Sequence, residues 1–335
     1  MSNRLAALLS SWYPHKDECL WVLASIIETK RSSYRKTGAM MLINSLGKSY
    51  GLLSGGCLEA DLMRQAQKCW HKGQSLTVCY DMQDDSDVTW QLGIGCGGLV
   101  KILLQPINQA NNYLDLCLLK KQLDNRQHCF YHIDTLGTLT SNQVLTKSAA
   151  AIDPLIEIKP APALIIFGGG IDAQPLVSLA KTLGWYICLV DSRTAYARSA
   201  YFQDADKVIK QDYSSLEQNL ILPKADAVVI MHHNVTLDAQ ALQLVHKLPC
   251  FNATKYLGLL GPQHRTDKVF EQLTFTTEQL PAELANPIGL DLGGELPESI
   301  ALAILAQAHA KVENASAVAL GSYTETQQPL TRYGN

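Results

Sequence analysis

The stretch Ala163-Leu-Ile-Ile-Phe167 followed by Gly168-Gly169-Gly170 constrains this chain more than any other. Five apolar residues without alternation read as a short strand buried on both faces, and the glycines directly after it make a tight turn. A helical pattern runs on to Leu183, and a second apolar run, Tyr186 to Val190, closes on Asp191. Gly168, Gly170 and Ala173 fit G-x-G-x-x-G/A, with the acid 23 residues beyond the first glycine. In that setting the glycines let backbone approach a pyrophosphate at a helix N-terminus, and the carboxylate can bind a ribose diol. The same turn serves equally to pack helix on sheet with no ligand. Arg193, two residues past the acid, leaves open whether such a ribose carries a phosphate.

The alternation continues. Val208-Ile209, Ala227 to Met231 and Tyr256 to Leu260 read as further short strands, and Pro297 to Val312 as a last helix with proline at its start. This predicts an α/β fold: a Rossmann-type parallel sheet with helices on both faces over residues 163–313, then a polar tail over 314–335. Upstream, Pro154, Pro160 and Pro162 interrupt the segment from Ala149 to Pro162, which predicts an extended linker, set at 151–162.

Residues 1–150 then form a mixed α+β N-terminal domain. Leu20 to Ile27 fits a helix, and Ala39 to Ile43 with Tyr50 to Leu53 fit a hairpin around Gly47. Helical spacing covers Leu58 to Trp70 and Asn111 to Leu123, and Leu76 to Tyr80 and Leu99 to Leu104 read as strands.

At 335 residues, two domains are the default. A net charge of −3 without long charge runs favours neither nucleic acid nor an anionic membrane as a partner. The first 20 residues make a poor signal peptide, and no run approaches the roughly 20 apolar residues of a membrane span. Nine dispersed cysteines without a C-x-x-C pair fit neither a disulfide framework nor a zinc ribbon, so a reducing cytoplasm and no metal site are expected. His232, His233 and Asn234 follow the fourth strand of the second half, with no third ligand spaced to join them.

Two motifs in the first half carry thiols among glycines: Ser54-Gly55-Gly56-Cys57-Leu58-Glu59, and Gly93-Ile94-Gly95-Cys96-Gly97-Gly98. Cys57 opens a helix, where the dipole favours the thiolate, and Cys96 sits in a loop that backbone could use to meet a ligand. Alone, either could be a tight turn with Cys as a small hydrophobe. Together they point to a site.

Those motifs, with Ser33-Tyr-Arg-Lys-Thr-Gly-Ala-Met-Met-Leu42, resemble the N-terminal domain of the XdhC/CoxI family, accessory factors of xanthine dehydrogenase and related molybdenum hydroxylases. Ile165-Ile-Phe-Gly-Gly-Gly170 with Val190-Asp-Ser-Arg193 resembles that family's Rossmann domain, and Tyr256 to Pro262 and Pro287 to Gly293 extend the likeness over nearly the whole chain. The resemblance implies a maturation factor that binds molybdenum cofactor, keeps it sulfurated and helps insert it into an apo molybdenum hydroxylase, with a cysteine desulfurase as a further partner and a homo-oligomeric state. Gly95, Cys96, Gly97, the Ser54–Cys57 turn and Arg35 become candidate contacts for the anionic, sulfur-rich pterin, although Arg35 and Lys36 could equally be solvated loop charges. One departure stands out: Met231-His-His-Asn234 lacks the acid of the family's usual Thr-His-Asp type sequence.

Two other classes stay open on the residues alone. An NAD-dependent oxidoreductase, or a sensor of another adenine nucleotide, would use the same glycine turn and Asp191, and fold does not decide between them.

Overall fold

The computed structural model describes residues 3–31, 33–56, 58–81, 98–135, 141–148, 154–216, 221–248 and 251–321. The chain divides into two compact units, which meet in sequence at Pro160 and Ala161.

The first unit begins with helix α1 (Leu5–Trp12), then strands β1 (Trp21–Lys30), β2 (Met40–Asn44) and β3 (Ser49–Gly51), helix α2 (Glu59–Lys72) and strands β4 (Leu76–Asp81) and β5 (Leu99–Ile107). These strands form one antiparallel sheet in the order β3-β2-β1-β5-β4. Helix α3 (Leu116–Asp124) follows, and then a small antiparallel sheet of β7 (Gln143–Leu145), β6 (Cys129–His132) and β8 (Leu155–Ile158), in that spatial order.

The stretch expected as a helix over 20–27 is therefore strand from Trp21 onward, and the cause is burial on both sides. Trp21 and Leu23 point to the core shared with α1 and α3, while Val22, Ala24 and Ile26 point to the core shared with α2. A central strand covered on both faces loses the alternation by which a strand is recognised. The helix expected from Asn111 begins later, at Leu116, because Asn112 to Asp115 all carry positive φ, between 49° and 58°. Part of the proline-rich segment is corrected too. Leu155–Ile158 pairs with β6 as a strand of the first unit instead of running as a connector.

The second unit is built from β9 (Ala163–Phe167), α4 (Ala173–Thr182), β10 (Tyr186–Val190), β11 (Lys207–Ile209), β12 (Ala227–Ile230), α5 (Val235–His246), β13 (Tyr256–Leu259), α6 (Gln263–Phe270), β14 (Leu284–Ala285) and α7 (Pro297–Val312). All six strands are parallel, in the order β11-β10-β9-β12-β13-β14. That is the doubly wound order of a Rossmann fold, which reverses direction between β9 and β12. Leu164 and Ile166 of β9 pack with α4 and α7, while Ile165 and Phe167 pack with α5 and α6, so helices cover both faces. The two-residue β14 was too short to announce itself in the sequence. No helix among the described residues is long and apolar enough to cross a membrane.

Candidate functional site

In the Rossmann unit the glycine turn follows β9 directly. Gly168 has φ +116°, and a Cβ there would lie 2.7 Å from the backbone C and O of Met231. A Cβ on Gly169 would lie 2.8 Å from the Tyr196 carbonyl oxygen. Both glycines are thus required by the chain's own backbone, before any ligand is considered. At Gly170 the neighbour is a side chain, Asp172 Oδ1, 2.5 Å from the ideal Cβ. Ala173 is fully buried as α4 begins, where a small residue lets the helix settle on the sheet.

Asp191 is fully buried, and its carboxylate is saturated with donors. Oδ2 accepts from the Gly169 N–H at 2.8 Å and from Arg193 Nη2 at 2.7 Å, while Oδ1 accepts from the Arg193 N–H and Nε, each at 2.9 Å. Burial works against the charge, but these hydrogen bonds outweigh it and hold the carboxyl below the usual carboxylate range. The Arg193 guanidinium in turn stacks 3.7 Å from the centroid of the Tyr196 ring. A ribose diol approaching Asp191 would have to compete with that arginine.

At the end of β12 the two histidines part company. His232 turns inward: its Nδ1–H donates to Asp238 Oδ1 at 2.8 Å, leaving Nε2 to accept from the Tyr213 hydroxyl. Asp238 Oδ2 accepts from Arg265 Nη2, and Arg265 Nη1 donates to the Leu260 carbonyl at 3.0 Å. Burial, followed by the nearby Asp191 charge, pushes the Tyr213 hydroxyl up, so it stays a proton donor. Asp238, six residues after His232, is thus its carboxylate partner. Its one sequence signal is an acid on the stripe Asp238, Ala241, Leu242 and Val245, which the helix buries. Tyr213 carries no such signal.

His233 turns outward with φ +57°, and its Nε2 lies 2.5 Å from Asp172 Oδ2. That hydrogen bond raises its pKa against the opposing effect of burial. Asn234 caps α5 by accepting from the Leu237 N–H at 3.0 Å. The carboxyl edge of the sheet thus carries a protonatable imidazole beside the glycine turn and the start of α4, a setting suited to an anionic group.

In the first unit, Ser54, Gly55 and Gly56 form the turn before α2. Ser54 Oγ donates to Glu59 Oε2 at 2.5 Å and accepts from the Leu58 N–H at 3.0 Å and the Gly56 N–H at 3.2 Å. Glu59 Oε1 accepts from the Ser54 N–H at 3.1 Å, which closes the loop reciprocally, in the manner of a capping box. Gly56 takes φ +108°. A Cβ on Gly55 would lie 3.9 Å from the Tyr34 ring, so this turn and the loop carrying Arg35 are neighbours. Arg35 itself is half-buried. Cys57, Gly95, Cys96 and Gly97 lie outside the described residues.

Two units with these turns, one an antiparallel α+β body and the other a Rossmann sheet, are the architecture that the sequence motifs anticipate. The XdhC Rossmann domain profile matches residues 164–308, and that of the XdhC and CoxI family matches residues 16–81. The chain is 28% identical over 318 residues to a probable xanthine dehydrogenase subunit from Bacillus subtilis (strain 168), covering 85% of this chain and 91% of the relative. It is 22% identical over 292 residues to the molybdenum cofactor insertion chaperone PaoD of Escherichia coli (strain K12), covering 85% of this chain and 81% of PaoD. A crystal structure from Bacillus halodurans, described as a xanthine dehydrogenase, superposes with a TM-score of 0.78 at 30% identity, covering 94% of this chain and 96% of that one. The chain belongs to the XdhC/CoxI family.

Proposed function

We propose that this chain is an accessory factor that binds molybdenum cofactor as cargo and assists its sulfuration or its insertion into a xanthine dehydrogenase-type hydroxylase. The observation that carries this reading is the likeness to PaoD, which runs through both units and is not confined to the Rossmann sheet. The residues present fit the chemistry of such a cargo. Its phosphate is anionic, and the chain offers His233 beside the glycine turn in one unit and Arg35 beside the Ser54–Gly56 turn in the other. Its dithiolene sulfurs and metal suit soft contacts, a role this reading gives to Cys57 and Cys96. The partners would be an apo molybdenum hydroxylase and a cysteine desulfurase. The engagement of Asp191 by Arg193 does not favour a reading centred on ribose recognition.

The test is purification of the full chain from molybdenum-replete cells, oxidative release of bound pterin and its detection by fluorescence, with molybdenum measured beside it. Pterin and metal retained together support the reading. A folded protein that carries neither, even after incubation with released cofactor, overturns it.

A further inference from the structure

Outside the turns already described, the first unit contains a cavity of about 470 Å³ between the 34–40 loop and β8. Arg35 and Lys36 line it from the loop and Lys159 from the residue after β8, with Thr37 adding a hydroxyl. Among the described residues the one acid on its wall is Glu157, already engaged by His128 Nε2 at 2.8 Å and Lys159 Nζ at 3.4 Å. Arg35 is half-buried, yet among the described residues it has neither an ion pair nor a hydrogen-bond acceptor. A guanidinium drawn partly out of water with its donors unused is complementary to a bidentate oxyanion.

The walls are also fixed in place. Gly38 sits so tightly on β8 that a Cβ would lie 2.7 Å from Ile156 Cγ2, so a side chain there would push the loop off the strand. The Gly38 N–H donates to the Ile26 carbonyl at 2.8 Å, and the Ile26 N–H donates to the Ala39 carbonyl at 2.9 Å, which ties the loop to β1 as well. The loop that presents Arg35 is thereby held against the chain segment that presents Lys159, before any ligand arrives.

We infer that this cavity is a binding site for a phosphate-class anion, with Arg35 as its principal contact and Lys36 and Lys159 as supporting charges. Only the carrier of that phosphate rests on the proposed function, under which it is the pterin phosphate; a free phosphate or pyrophosphate is the other source of the same chemistry.

The experiment titrates the full chain with inorganic pyrophosphate by calorimetry. The variants are Arg35→Gln, Lys159→Gln, and Lys68→Gln on the exposed face of α2 as a charge-matched control. Arg35→Gln should weaken binding about 10-fold and Lys159→Gln roughly 3-fold, while Lys68→Gln stays within about 2-fold of wild type. Because Arg35 has no ion-pair or hydrogen-bond partner among the described residues, its variant should keep the wild-type thermal transition. No pyrophosphate binding by wild type, unchanged binding in Arg35→Gln, or an equal loss in Lys68→Gln would each overturn the inference. Pterin retained after purification identifies the source: its loss in Arg35→Gln together with pyrophosphate binding marks the cofactor phosphate, and its retention marks a free anion. A wild-type chain that binds pyrophosphate at Arg35 but never carries pterin keeps this site while removing the proposed function.

Discussion

His233 and Asp172 form a pair whose charge depends on pH. The hydrogen bond that His233 donates to Asp172 raises its pKa, burial opposes it, and the fields of Arg265 and Asp238 add smaller effects of opposite sign. A pKa raised in the folded state adds stability that is fully present below about pH 6.5 and is lost as the pH climbs through the higher folded value. Because the ring is largely exposed, solvent screens much of that contribution. An NMR titration of the His233 ring should show its pKa falling toward the ordinary value in Asp172→Asn, and an unchanged titration would remove the pairing. The buried chain Tyr213–His232–Asp238–Arg265 makes a stronger demand. Asp238→Asn leaves Arg265 without its carboxylate and His232 without its anionic acceptor, and should cost about 3 kcal/mol in denaturant unfolding. A loss below about 1 kcal/mol would mean that the network contributes little to folding. None of this was visible in the sequence as a partnership. The two histidines stood out, but Asp238, Arg265 and Tyr213 join His232 only because α5, α6 and the segment after β11 converge on the end of β12.

The elements differ in how plainly the sequence announces them. Strands β9, β10, β12 and β13 are short apolar runs set off by glycine, proline or polar residues, and helical stretches separate most of them, so a parallel sheet was legible. Strand β1 was not, since its two faces feed two different cores. Strand β8 was hidden by flanking prolines, and its pairing with β6 is a tertiary event with no local mark. The turn into α2 was legible as a motif, but its mechanics were not: Ser54 and Glu59 hold it shut through each other and through two backbone N–H groups. Ser54→Ala should therefore lower stability by roughly 1–2 kcal/mol, the usual cost of losing a capping hydroxyl. Thermal unfolding of this variant decides the matter, and a transition unchanged from wild type would show that the loop is held by its other contacts.

Under the proposed function, each unit of the molecule contributes separately to one task. The Rossmann unit brings a glycine turn whose first two glycines answer to internal packing, with His233 available beside it. The first unit brings the Ser54–Gly56 turn, closed by Glu59, and a half-buried arginine on the neighbouring loop. Cofactor delivery is checked most sharply by activating a cofactor-free xanthine dehydrogenase-type hydroxylase, with molybdenum cofactor supplied alone or preloaded on the full chain. Preloaded chain should restore activity faster and to a higher plateau than the same amount of free cofactor. Cys57→Ala or Cys96→Ala should reduce that gain while leaving the thermal transition in place. Equal activation with and without the chain, from protein shown to be folded, would mean that it does not deliver the cofactor.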